Sequence, residues 1–161
     1  MARHDYAGLS FEQAVQKYAP CVYSACVVRL NGNADVDDCV QNTFVKLYRS
    51  TPDFRDTEHL KAWLLRVAIN ECRQSVRRSR RHVPLDTAQK YPLPPSDDRS
   101  DLSWALSRLS PKYREVLYLH YLEGYKVDEI AAILGTKSGT VKSLLHRGRN
   151  LLKAEIGGDD A

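Results

Sequence analysis

Lys142, His146, Arg147 and Arg149 crowd into the stretch "AAILGTKSGTVKSLLHRGR" (131–149), with Lys137, Ser138, Thr140 and Ser143 among them and no acid. Side chains of these types hydrogen-bond base edges and neutralise phosphates, so together they could recognise a polyanion. The residues that precede them fit two short helices crossing at a tight turn. Ala131 is small enough for a close crossing, Gly135 tolerates positive φ, and Val141 can pack back on the first helix, at offsets of four and six. Ser138 is expected to cap the second helix, which would enter a major groove. A solvated surface hairpin would need the same turn, but not a face free of acid.

A second cationic run, "RQSVRRSRRH", holds Arg73, Arg77, Arg78, Arg80 and Arg81. Alone it reads as a helix end favoured by the helix dipole. The segment before it, "FRDTEHLKAWLLRVAINECRQ", adds an aromatic (Phe54), a polar loop and the amide of Asn70. Flat surface, amide and phosphate contacts are what an unpaired base requires. Trp63 falls at core spacing.

Catalysis and metal binding find little support. The five histidines (His4, His59, His82, His120, His146) are scattered, and no HExxH, Walker loop or GxSxG occurs. Asp35, Asp37 and Asp38 sit at one helix N-terminus, where the dipole and a partner surface explain them better than a metal. Cys21, Cys26, Cys39 and Cys72 form no CxxC pair and read as reduced, buried thiols. No enzyme, metal site or cofactor is expected.

Apolar residues recur at helical spacing and strand alternation is absent, so the fold class is all-α. Ser10 and Gln13 form a capping-box pair opening a helix to about Leu30. A second helix carries the stripe Val36, Val40, Phe44, Leu47, and a third runs from about Leu60 to Arg80 with Trp63, Leu64, Val67 and Ile69 in its core. "HVPLDTAQKYPLPPSDDRS" contains four prolines and reads as a flexible linker. Beyond it come "DLSWALSRLS", a helix capped by Ser110 with Pro111 at its first position, and helices closed by Gly124 and Gly135. The expectation is two small helical domains, 1–81 and 101–161, joined by the linker 82–100, with a helix-turn-helix in the second.

The chain has 161 residues, 43% hydrophobic and 27% charged, a globular composition with a net charge of +4. Residues 1–60 carry six basic side chains against eight acidic ones, so the positive charge concentrates in the two runs above. No apolar run approaches the ~20 residues of a membrane span, and "MARHDYAGLS" lacks a signal-peptide core. A cytoplasmic protein is expected.

Three segments together resemble the extracytoplasmic-function sigma factors of bacterial RNA polymerase, in the sigma-70 family. They are "DVDDCVQNTFVKLYRS", "FRDTEHLKAWLLRVAINECRQSVRRSRR" and "LSRLSPKYREVLYLHYLEGYKVDEIAAILGTKSGTVKSLLHRGRNLLK", in the family's order. The resemblance implies that domain 1–81 binds core polymerase through the clamp helices of its largest subunit, with Asp38, Gln41, Asn42, Phe44 and Lys46 at that face. It implies that Phe54, Arg55, Asp56, His59, Lys61 and Asn70 capture an unpaired minus-ten base, and that Arg73, Arg77 and Arg78 follow the backbone. It implies that Lys137, Ser138, Thr140, Lys142, Ser143, His146, Arg147 and Arg149 read the minus-thirty-five duplex, in a domain that also meets the polymerase flap. An anti-sigma factor is a further implied partner. The chain departs from the family's pattern at Leu144, where an Arg is usual, at Lys126, where a Ser or Thr cap is usual, and in the turn "GTKSGTV". The alternative reading is a helix-turn-helix regulator acting as a dimer without polymerase. It accounts for 111–153 but not for the acidic helix or the arginine helix.

Overall fold

The computed structural model describes residues 5–50, 53–82 and 101–157. The chain divides into two compact units, 1–89 and 90–161. Of the expected linker 82–100, His82 belongs to the last turn of α3, and 83–100 lie outside the described residues.

The first unit packs three helices pairwise: α1 (Phe11–Leu30), α2 (Val36–Arg49) and α3 (Thr57–His82). Ser10 and Gln13 make the reciprocal capping box that opens α1, and Asn31 closes it in the left-handed region at φ 54°. The core is contributed evenly by the three helices, with Val22 from α1, Leu47 from α2 and Leu60 and Leu64 from α3 fully buried. Each such side chain contributes about 1.5–3 kcal/mol of burial. Polar links set the entry of each helix. The Tyr18 hydroxyl donates to the Thr57 carbonyl (3.1 Å), and the Ser75 hydroxyl donates to Asp35 Oδ2 (2.8 Å) at the start of α2.

Two expectations change. α3 begins at Thr57 rather than Leu60, because the Asp56 side chain accepts the His59 N–H (2.8 Å) and adds a turn. Its core is Leu60, Leu64, Leu65, Ala68, Ile69 and Cys72, whereas Trp63 and Val67 are half-buried.

The second unit contains α4 (Asp101–Ser107), α5 (Pro111–Leu117), a π-helical turn (Tyr118–Leu122), α6 (Val127–Leu134) and α7 (Ser138–Gly157). Pro111 opens α5 as expected, but the Ser110 hydroxyl makes no cap bond; its carbonyl takes the Tyr113 and Arg114 N–H groups. The buried Arg114 guanidinium donates to the Leu109 carbonyl (2.6 Å), satisfying the chain just beyond α4. The π turn is fixed by Tyr118 Oη donating to Glu123 Oε1 (2.6 Å) and by the Tyr125 N–H on the Leu119 carbonyl (3.0 Å). Gly135 closes α6 at φ 66°, a left-handed conformation that suits glycine. α7 then crosses α5 and α6, burying Val141, Leu145 and Gly148.

Candidate nucleic-acid interface

α7 advances 100° per residue, so burial of Val141, Leu145 and Gly148 turns Gly139, Ser143, His146, Arg147 and Asn150 to the opposite side. All five are exposed, as are Lys137, Thr140 and Lys142. Ser138 is not the cap expected of it. The Lys137 carbonyl accepts the Val141 N–H, and the Ser138 hydroxyl donates to Asp128 Oδ1 (2.6 Å) at the start of α6. Arg149 stands apart from the exposed candidates of α7. It is half-buried, and its guanidinium donates to the Tyr121 hydroxyl (3.1 Å) on the π turn. Asn150, outside the candidates read from sequence, lies one turn beyond His146 on the exposed face, with its amide 3.5 Å from His146 Nε2. Its four-residue spacing from His146 was the available signal.

On α3, Arg66, Asn70, Arg73 and Arg77 recur at four, three and four and form one stripe; Arg73 is half-buried and the others are exposed. Arg66 had not been singled out, though the period alone places it there. Arg78 lies about 100° away from Arg77. It lines a cavity of about 320 Å³ between α2 and α3 with Asn42, Lys46, Arg49 and Gln74. Arg78 therefore keeps company with the α2 residues and not with Asn70.

The start of α3 gathers aromatic rings. Phe54 is half-buried and meets His59 edge to face (centroids 5.5 Å apart) and Trp63 likewise (5.7 Å). The Arg55 N–H donates to His59 Nδ1 (3.2 Å), and Arg55 and Asp56 are themselves exposed. Lys61 is half-buried. Asn70 does not join this cluster, because eleven residues of helix set it about 16 Å from His59 along the axis.

On α2, Asp38, Gln41 and Asn42 are exposed. Phe44 is not part of that face: it is 8% exposed and belongs to the hydrophobic core of the first unit. Lys46 pairs with the carboxylate of Glu71 on α3, which is buried. The outer face also includes Val45 and Tyr48, exposed apolar residues that the polar reading passed over. Among the described residues no group of three His, Cys, Asp or Glu side chains could hold a metal ion, and no helix is long and apolar enough to cross a membrane.

The chain matches the family Sigma-70 region 2 over residues 14–82 and Sigma-70 region 4 over residues 101–152. It is 33% identical over 157 residues to the ECF RNA polymerase sigma factor SigE of Mycolicibacterium smegmatis, covering 89% of this chain and 60% of SigE. It is 30% identical over 162 residues to the RNA polymerase sigma factor CarQ of Myxococcus xanthus, covering 95% of this chain and 92% of CarQ. Its structure resembles that of the sigma factor RpoE from Bartonella quintana, solved in complex with the anti-sigma factor NepR. The TM-score is 0.73 at 29% identity, over 91% of this chain and 96% of that one. With both family regions in order and relatives matched along most of its length, the chain belongs to the sigma-70 family, among the extracytoplasmic-function sigma factors.

Proposed function

We propose that this protein binds core RNA polymerase in the cytoplasm and directs promoter-specific initiation as an alternative sigma factor. The observation that carries this reading is the division of labour between the two units. One offers an acidic and polar α2 face beside an aromatic-lined loop and a cationic α3 stripe, and the other a helix-turn-helix whose reading face has no acid. In this reading Asp38, Gln41 and Asn42 meet the polymerase clamp helices, with Val45 adding apolar contact. Phe54, His59 and their loop take an unpaired minus-ten base, while Arg66, Asn70, Arg73 and Arg77 follow the neighbouring strand. Ser143, His146, Arg147 and Asn150 address base edges of the minus-thirty-five duplex, and Lys137, Lys142 and Arg149 its phosphates. The second unit also meets the polymerase flap.

The protein's own work is recognition and strand opening; nucleotide addition belongs to the polymerase. An anti-sigma factor is a further partner in this proposal, by analogy with RpoE and NepR.

The test is transcription in vitro with core polymerase and a pool of genomic fragments. The protein should select a small set of promoters that core alone does not transcribe. Replacing Asp38 and Gln41 together with Ala should weaken co-purification with core polymerase at unchanged helicity. Undiminished binding by the double variant would remove α2 from the interface.

A further inference from the structure

Faces of two helices in the first unit converge on one cavity. Asn42, Lys46 and Arg49 recur at four and three along α2, and Glu71, Gln74 and Arg78 at three and four along α3, so each set forms one stripe. Together they line a space of about 320 Å³, within the range of small-ligand pockets. Glu71 is the one acid among them, and its side chain is only 4% exposed. Its carboxylate is paired with Lys46, so each cancels the other's charge. Arg49 and Arg78 are exposed, and neither has an ion pair or hydrogen bond among the described residues. Guanidiniums that share a cavity repel each other unless an anion stands between them. The helix dipole suits a cation near the end of each helix. It does not explain why both cations line one cavity with two amides and a buried carboxylate.

We propose that this cavity is a phosphate-binding site, filled by free phosphate or by the monoester of a small metabolite. The planar forks of Arg49 and Arg78 match pairs of phosphate oxygens, and the Asn42 and Gln74 amides can donate to those that remain. The two uncancelled positive charges answer the roughly −1.5 to −2 of a phosphate group near neutral pH. Glu71 sets the selectivity. An ionised carboxylate can only accept, so it repels a fully deprotonated anion but takes the proton of a hydrogen phosphate. Sulfate has the same shape and brings no such proton. The inference stands apart from the polymerase reading above, although Asn42 belongs to both.

The experiment titrates the whole chain, free of polymerase, with inorganic phosphate, glycerol phosphate and sulfate. Calorimetry at about pH 6.5 suits it, because phosphate groups are partly protonated there. One of the two phosphate probes should bind with a Kd below about 1 mM, and sulfate about tenfold more weakly or worse. The tighter probe identifies the source. Arg49→Ala and Arg78→Ala should each weaken phosphate binding about tenfold or more. Lys17→Ala, which removes an equal charge from an exposed position of α1, should not. Glu71→Gln should bring sulfate to within about twofold of phosphate; continued rejection of sulfate would overturn the role of Glu71. The arginines are exposed, so their variants keep the core and decide the matter even if Glu71→Gln does not fold. Failure of both phosphate probes to bind below about 1 mM would overturn the site. Equal binding of sulfate by the wild type, or an equal loss in Lys17→Ala, would overturn it as attraction by surface charge alone. So would an Arg78→Ala protein that binds phosphate unchanged and DNA more weakly, because Arg78 would then be a contact to the DNA backbone.

Discussion

Cys26, Cys39 and Cys72 come one each from α1, α2 and α3 and are buried together in the core of the first unit. A hydrogen bond with Cys72, reinforced by burial, pushes the Cys39 thiol far above its ordinary pKa, and one with Cys26 does the same to Cys72. Neutral, enclosed thiols are poor nucleophiles. Cys21 is different: it is half-buried on α1, with Sγ donating to the Tyr18 carbonyl (3.2 Å). A thiol-labelling reagent near neutral pH should therefore modify Cys21 first and the other three only as the unit unfolds. Rapid labelling of Cys72 in the folded protein would contradict the buried cluster. The same shift has a pH consequence. Above about pH 8.5 the unfolded chain loses these protons while the folded one keeps them. The stabilisation is thus complete below that pH and declines as pH rises. Denaturant unfolding from neutral to alkaline pH should show this decline, and a Cys39→Ala, Cys72→Ala protein should show less of it.

At the scale of single elements, α7 is set by its contact with α5. A Cβ on Gly148 would stand 3.2 Å from Leu117 Cδ1 and 3.6 Å from Tyr113 Cβ, so the helices approach at the one place without a side chain. Alanine there sets a gain in helix propensity of about 1 kcal/mol against crowding. Gly148→Val adds branching to the crowding and should destabilise the second unit by about 1–3 kcal/mol, read as a lower melting temperature. An unchanged melting temperature would mean that α7 does not pack there. Val141 and Leu145 announce this buried stripe in the sequence, but a glycine carries no hydrophobic signal and Gly148 was silent. Helix positions were legible for the same reason: apolar spacing, the Ser10–Gln13 pair and Gly135 are local features. The π turn was not, because "VLYLHYL" is apolar or aromatic at every position but His120 and its extra residue depends on Tyr118 reaching Glu123. Within the candidate site, the exposed residues of α2 and α7 could be read from period alone. So could the burial of Phe44, which the stripe Val36, Val40, Phe44, Leu47 places inside; only the resemblance set it at the outer face. The cavity that Arg78 shares with α2, the Lys46–Glu71 pair and the Arg55–His59 hydrogen bond all required a neighbouring element or a folded loop.

For the whole molecule, the proposed reading gives the two units different kinds of DNA contact, and this separation can be tested without altering either core. Arg147 is exposed on the α7 face opposite Val141 and Leu145; Asn70 is exposed on the α3 stripe. Both substitutions to Ala remove only surface atoms, so each should leave the packing of its unit intact. A contact to a base edge in duplex typically contributes about 1–3 kcal/mol, and one to an unstacked base about the same. Losing either should therefore depress transcription by about 5- to 150-fold, so the size of the defect does not identify the step. The template does. Arg147→Ala should weaken transcription from a duplex promoter, and opening the minus-ten segment in advance should leave that defect in place, because the minus-thirty-five contact is made to paired DNA. Asn70→Ala should change the base preferred at one minus-ten position, on paired, pre-melted and single-stranded DNA alike. That position should differ from the one held at Phe54 and His59, as the rise of α3 sets His59 and Asn70 about 16 Å apart along its axis. If pre-melting rescues Arg147→Ala, α7 contributes to opening rather than to duplex recognition. If Asn70 and His59 govern the same nucleotide, the DNA strand does not run along α3, and the stripe of Arg66, Arg73 and Arg77 has another partner.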